Sequence, residues 1–288
     1  MEIRKITQVL IIGAGAMGRQ IGQMFAQKGK STLIYDIDGD QLKEARKFTE
    51  QNLENRVKKG KITAEKKKAV LNCLDYRTDY TKWLKTTDLI IECVPENLPL
   101  KKQIFKALAS EVPEGTIIGT NSSTIPIGTI VDGLPEEFCR YCANIHFVNP
   151  PLMLRLVEVY LFEQNEKLAK AIRRFLRRTR FKPVFLKKPI NGFVMNRILG
   201  VAFHEMFTLL SNSVCDPKTI DSVCVNGLNW PIGVARLADL IGLDVIYDSF
   251  RANYDTDPKE IYKPPEMLKD LVEKGHLGMK SGRGLYEY

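Results

Sequence analysis

Gln8-Val9-Leu10-Ile11-Ile12-Gly13-Ala14-Gly15-Ala16-Met17-Gly18 is the stretch on which the fold turns. A short apolar run closed by glycine predicts a buried parallel strand. Beyond it Met17, Ile21, Met24 and Phe25 fall at helical spacing, and Gly29 is a natural stop. A lone GxGxxG is a weak pattern, but strand, glycine turn and helix in that order are the context a dinucleotide site requires. Gly13 permits the tight turn, Gly15 lets the backbone approach a pyrophosphate, and Gly18 allows close helix–strand packing. Ala16 and Met17 open the helix, whose N-terminus offers N–H groups and a positive dipole end to that pyrophosphate.

Residues 32–35 read as a second strand, and Asp36 ends it, 18 residues after Gly18. A carboxylate there hydrogen-bonds a ribose 2′-hydroxyl and repels a 2′-phosphate. Ile37 and Asp38 follow it, with no arginine to receive such a phosphate. The expected cofactor is therefore NAD.

Outward from this unit, residues 40–59 and 63–74 read as two helices divided by Gly60. Apolar runs recur at 89–93, 117–119, 144–147, 156–161 and 184–186, with helical stretches at 99–110 and 165–179. Strands alternating with helices predict an α/β fold, a Rossmann-type doubly wound parallel sheet. Past Lys187-Lys188-Pro189 the pattern becomes helical, best at 193–213 and 233–251. The chain therefore reads as residues 1–188, an NAD-binding domain, followed by residues 189–288, an all-helical C-terminal domain.

Of the 288 residues, 44% are hydrophobic and 27% charged, which suits a folded core. No apolar run approaches the roughly 20 residues that span a bilayer. Residues 1–7 are too short and polar for a signal peptide, so a cytoplasmic location without membrane association is expected. Cys139 and Cys142 form a CxxC with no second ligand pair, so two reduced thiols are expected and no metal site. Charge is uneven: residues 1–188 carry 33 Lys+Arg against 21 Asp+Glu (+12), residues 189–288 carry 10 against 13 (−3). That imbalance suits an acidic partner such as a polyphosphate substrate. Five arginines crowd residues 173–180, but no zinc finger or aromatic-interleaved signature points to nucleic acid, and a solvated helix face accounts for them.

Candidate catalytic groups are few, because the chain has only three histidines. His146 ends a strand pattern just before Asn149-Pro150-Pro151, at the carboxyl edge where a doubly wound sheet places its ligand. Glu158 interrupts the otherwise apolar run 156–161, and a buried carboxylate needs a partner. A histidine one strand away would serve, its tautomer fixed by the carboxylate. Such a pair suits removal of a hydroxyl proton while hydride leaves the same carbon. Ser123, after the 117–119 strand, and Asn196, at the start of a helix, could hold the substrate oxygen. Each has a plainer reading as a core histidine, a turn serine or a helix-terminal asparagine, and pattern alone leaves these open.

These residues resemble the 3-hydroxyacyl-CoA dehydrogenase family, and the resemblance spans nearly the whole chain. It rests on Gly13 to Gly18, Ile91-Glu92-Cys93-Val94-Pro95-Glu96-Asn97 with Lys101, and Asn121-Ser122-Ser123-Thr124. It continues through His146-Phe147-Val148-Asn149-Pro150 with Leu156-Val157-Glu158-Val159, Gly192-Phe193-Val194-Met195-Asn196-Arg197, and the closing Gly278 to Tyr288. The resemblance implies interconversion of (S)-3-hydroxyacyl-CoA and 3-oxoacyl-CoA with NAD. It implies His146 as base, Glu158 as its orienting partner, and Ser123 and Asn196 as groups binding the reacting oxygen. Glu96 and Lys101 would contact the nicotinamide half of the cofactor and Lys59 coenzyme A. A homodimer through the helical domain is also implied.

Asn55, His204, Val234 and Arg236 depart from the family pattern and bear on the substrate. Arg236 reads either as a surface residue or as facing an anionic group. Two other functions compete. One is dehydrogenation of a free 3-hydroxy acid, as in relatives of the gulonate 3-dehydrogenase and lambda-crystallin type. The other is a non-catalytic NAD-binding protein, against which the joint presence of Ser123, His146, Glu158 and Asn196 argues.

Overall fold

A computed structural model describes residue 3 and residues 5–288 of the chain, the Thr256 side chain apart; Met1, Glu2 and Arg4, on which the signal-peptide reading partly rests, lie outside. Two compact units divide after Asn191.

The first unit is built on eight strands. These are β1 (Gln8–Ile12), β2 (Ser31–Tyr35), β3 (Leu74–Arg77), β4 (Leu89–Glu92), β5 (Ile117–Thr120), β6 (Cys142–Phe147), β7 (Leu156–Leu161) and β8 (Lys182–Phe185). Their order in one sheet is β3-β2-β1-β4-β5-β6-β7-β8. Neighbours from β3 to β6 run parallel. The glycine turn leads from β1 into helix α1 (Ala16–Ala26), and helix α2 (Gly39–Lys58) follows β2. Apolar runs without alternation make sense here because both faces of the sheet are covered. Val9 and Ile11 enter one buried cluster with Ile21, Phe25 and Ile145, while Leu10 and Ile12 enter the other with Phe105, Leu108 and Ile127.

The structure corrects the sequence reading in two places within this unit. Residues 63–74 divide into a shorter helix, Ala64–Leu71, and the start of β3. Leu-Asp-Tyr-Arg is an edge strand with no fully buried residue, so it lacks the apolar run that marks its neighbours. The sheet is also not wholly parallel, because β7 runs antiparallel to β6. Residues 148–155 contain no crossover helix, and a parallel return would need one. The helix Glu166–Arg178 then carries the chain to β8, parallel to β7.

The second unit is helical. Phe193–Ser211, Val234–Ile241, Leu243–Thr256 and Glu266–Glu273 pack around Phe203, Met206, Phe207, Ile220 and Leu268. The span read as one helix over 233–251 is two, parted at Gly242, whose φ of +106° no helix can include. The closing segment is pinned by two buried carboxylates. Asp239 accepts the backbone N–H groups of Leu285 and Tyr286, and Asp221 accepts the Tyr286 hydroxyl at 2.7 Å. Tyr286→Phe leaves Asp221 Oδ2 with only the longer bond from Arg236 N and lowers unfolding free energy by about 1 kcal/mol in urea denaturation; unchanged stability would contradict this account of the closing segment.

Phe193–Ser211 is long and apolar enough to cross a membrane by length and composition, with 22% of its most apolar window buried. The sequence expectation of no such segment is corrected in that sense. Polar Asn196, Arg197, His204 and Glu205 interrupt it.

Candidate active site

At the carboxyl edge of β1 the glycines meet the demands read into them. Gly13 has φ +106°, and a Cβ there would lie 2.7 Å from the Cys93 carbonyl oxygen. A Cβ on Gly18 would lie 1.9 Å from the Gly13 carbonyl oxygen, so any side chain would part α1 from its strand. Gly15 faces open space within 4 Å, and no side chain caps α1. The N–H groups of that first turn therefore stand ready for an anion. Asp36 accepts from Ala14 N at 2.7 Å and from Asp38 N at 3.0 Å. A carboxylate has about four lone-pair positions, which leaves room for ribose hydroxyls. These residues fit a dinucleotide.

Next along the edge lies a polar group that the sequence reading only partly saw. Glu92, at the end of β4, is fully buried. Its Oε1 accepts from Lys101 Nζ at 2.7 Å and Val94 N at 2.8 Å, and its Oε2 from Thr120 Oγ1 at 2.7 Å. Lys101 is 1% exposed, and its ammonium also meets the Val94 carbonyl and Glu96 Oε2, both at 3.3 Å. Three acceptors thus account for its three protons. Glu96 accepts from the Ser122 and Thr124 hydroxyls and from Thr124 N. Burial alone would raise its carboxyl pKa, but the two hydroxyls and the Lys101 charge outweigh it and hold the group below the usual range. Lys101 therefore stands behind Glu96, facing inward. Glu92 was quoted in the sequence only as part of a motif and given no role, although a carboxylate closing the run Leu-Ile-Ile-Glu carried the same signal that singled out Glu158.

His146 and Glu158 are direct partners across the antiparallel β6–β7 pair. Directly opposed residues bring their side chains together, and His146 Nδ1 lies 3.2 Å from Glu158 Oε2. Both residues are buried, at 7% and 1% exposure. A carboxylate only accepts when ionised, so it assigns the ring proton to Nδ1 and makes Nε2 the acceptor nitrogen. Asn121, just past β5, accepts Phe147 N at 2.9 Å and fixes the end of β6 beside the pair.

Ser123 is half-buried, in the bend after β5. Its neighbour Ser122 does the structural work there, donating to Glu96 and accepting from Ile125 N. Asn196 is exposed in the first turn of Phe193–Ser211, in the second unit. Lys59 is exposed at the carboxyl end of α2. Among the departures, Arg236 lays its guanidinium 4.5 Å over the Tyr286 ring, and Val234 is buried at the start of its helix. Cys139 and Cys142 are free and buried, with burial raising both thiols above their usual pKa.

Comparison with known proteins adds an independent line. The family description "3-hydroxyacyl-CoA dehydrogenase, NAD binding domain" matches residues 8–189, and "3-hydroxyacyl-CoA dehydrogenase, C-terminal domain" matches residues 192–288. A probable 3-hydroxybutyryl-CoA dehydrogenase of Deinococcus radiodurans is 32% identical over 282 residues, covering 96% of this chain and 99% of that protein. The crystal structure of Mycobacterium tuberculosis FadB2 superposes with a TM-score of 0.90 at 29% identity, covering 99% of this chain and 100% of that one. A diketoreductase described as acting on dicarbonyl compounds superposes at 0.85 with 28% identity, over 99% of this chain and 100% of that one. Both halves of the chain being matched in order, it belongs to the 3-hydroxyacyl-CoA dehydrogenase family, whose cofactor is NAD.

Proposed function

We propose that this chain interconverts a (S)-3-hydroxyacyl-CoA and the 3-oxoacyl-CoA, with His146 as the base. The observation that carries this reading is the buried His146–Glu158 contact at the carboxyl end of β6. In the oxidising direction Nε2 of His146 takes the hydroxyl proton, and Glu158 steadies the imidazolium that forms. NAD, when bound, supplies the acceptor for the hydride that leaves the same carbon. In the reducing direction His146 returns the proton to the ketone oxygen. Ser123 and Asn196 hold that oxygen, and Glu96, set by Lys101 behind it, faces the nicotinamide half of the cofactor. Lys59 contacts coenzyme A, and the +12 charge of residues 1–188 draws in a polyphosphate substrate.

The assay is NADH consumption with acetoacetyl-CoA beside free 3-oxo acids. Turnover of the CoA thioester supports the proposal; turnover of free acids alone favours the second reading, which the diketoreductase likeness keeps in view. Cofactor choice follows from Asp36. Like charges brought together cost several kcal/mol, so kcat/KM with NADH should exceed that with NADPH by at least about 100-fold. Equal use of both would contradict the role given to Asp36.

The protein acts as a homodimer in the cytoplasm, joined through residues 192–288. Supporting this, Ile198 (60% exposed) and Val201 (48%) lie on one side of Phe193–Ser211, and Val223 (59%) and Leu228 (60%) are exposed elsewhere in the same unit. Apolar area of this kind marks an interface, and the polar residues within the helix suit a protein partner better than a bilayer. Light scattering should give twice the chain mass, and Ile198→Asp should halve it. A wild-type monomer would remove this part of the proposal.

A further inference from the structure

Ser123 sits on a turn that is tied down on both sides of it. Thr120, at the end of β5, donates its hydroxyl to Glu92 Oε2 and accepts from Ser122 N at 3.1 Å. Asn121 donates its backbone N–H to the Glu92 carbonyl at 2.8 Å, and its side chain accepts from Phe147 N, the residue after His146. Beyond Ser123, the Asn144 side chain of β6 donates to the Ile125 carbonyl at 3.2 Å and accepts from Ile127 N at 2.8 Å. Among the described residues the Ser123 hydroxyl itself takes part in no hydrogen bond.

Glu96 makes the ties nearest to Ser123. Its Oε1 accepts the Ser122 hydroxyl, the Thr124 hydroxyl and, at 3.0 Å, Thr124 N. Both neighbours of Ser123 therefore hang on one carboxylate oxygen. Ser122 Oγ in turn accepts from Ile125 N at 2.8 Å, which closes the turn on itself. Glu96 is held as well. It precedes Asn97, whose side chain caps the helix Leu98–Glu111 by accepting from Leu100 N at 2.9 Å. Its Oε2 lies 3.3 Å from Lys101 of that helix, and Lys101 is anchored on the buried Glu92. A continuous chain of contacts runs from the sheet through Lys101 and Glu96 to the two residues flanking Ser123.

Displacing a group from a reacting centre by about 1 Å costs on the order of 100-fold in rate. A hydroxyl carried on a loop meets that tolerance only when neighbouring contacts lock its backbone. Here the backbone is locked while the hydroxyl is left for a ligand. We propose that Glu96, Ser122 and Thr124 are positioning residues: by gripping the turn on either side of Ser123, the Glu96 carboxylate aims the Ser123 hydroxyl at the reacting oxygen, in addition to any contact it makes with the cofactor. The inference rests on the role given to Ser123 above and adds the residues through which that role is kept.

The test uses Thr124→Val, which removes one hydroxyl and keeps the bond from Thr124 N. With acetoacetyl-CoA, or a free 3-oxo acid if only that is turned over, kcat at saturating NADH should fall about tenfold with KM little changed. Thr124→Ser should restore it. The Kd for NADH, read from nucleotide fluorescence, should stay at the wild-type value, because Oε2 of Glu96 and its Lys101 partner are untouched. Ser123→Ala and Ser123→Ala/Thr124→Val should be equally slow, since the grip then has no hydroxyl left to aim. Ser122→Ala should behave as Thr124→Val does and gives a second arm if valine disturbs the fold, which a thermal melt reveals. Three results overturn the inference and leave Ser123 in its role: wild-type kcat in both single variants, a loss that follows NADH affinity, or a loss that multiplies with that of Ser123→Ala. Undiminished kcat in Ser123→Ala overturns the role of Ser123 itself, and the inference with it.

Discussion

A His146→Gln enzyme should retain its fold and lose about 10²- to 10⁴-fold in kcat, the contribution general-base catalysis typically makes. Glutamine fills most of the imidazole's volume, and its amide N–H can still meet Glu158, so the buried carboxylate keeps a donor. What it cannot do is accept a proton near neutral pH. KM should move little, because the lost interaction belongs to the transition state. The readouts are steady-state kinetics and a thermal melt of the same sample. Near-wild-type kcat in a folded variant would remove His146 from the chemistry.

Lys101→Met should lower unfolding free energy by about 3–5 kcal/mol, the usual cost of removing one partner from a buried ion pair. Both partners are essentially inaccessible, with Lys101 at 1% and Glu92 at 0% exposure. Methionine replaces the stem but leaves the Glu92 carboxylate with only the Val94 N–H and the Thr120 hydroxyl to offset its burial. The double variant Lys101→Met/Glu92→Leu should recover much of the loss, since well-packed apolar residues often replace a buried pair at little cost. Urea denaturation of the two variants decides the matter. A single variant as stable as the wild type would mean that the pair is not buried as described. The same substitution frees Glu96 from its charged neighbour, so NAD affinity should fall as well.

What the sequence revealed and what it hid follow from the physics of each element. The strands buried on both faces, such as β1 and β4, announce themselves as apolar runs, and the glycine turn is legible because only glycine tolerates its geometry. β3 is hidden because an edge strand needs no apolar run, and the break at Gly242 because the flanking residues keep helical periodicity through it. The antiparallel turn into β7 was readable only as the missing crossover helix. His146 and Glu158 could be named from sequence, but that they face each other depends on a strand register no pattern discloses. Glu92 was counted as one more residue of the run 89–93, so the partner that its burial demands was not sought.

The most direct measurement of the central claim is a double-mutant cycle on kcat with His146→Gln, Glu158→Gln and the two combined, assayed with acetoacetyl-CoA and NADH. If Glu158 acts through the imidazole, the combined variant should be no slower than His146→Gln alone. Losses that multiply, or a single variant with undiminished kcat, would contradict the account.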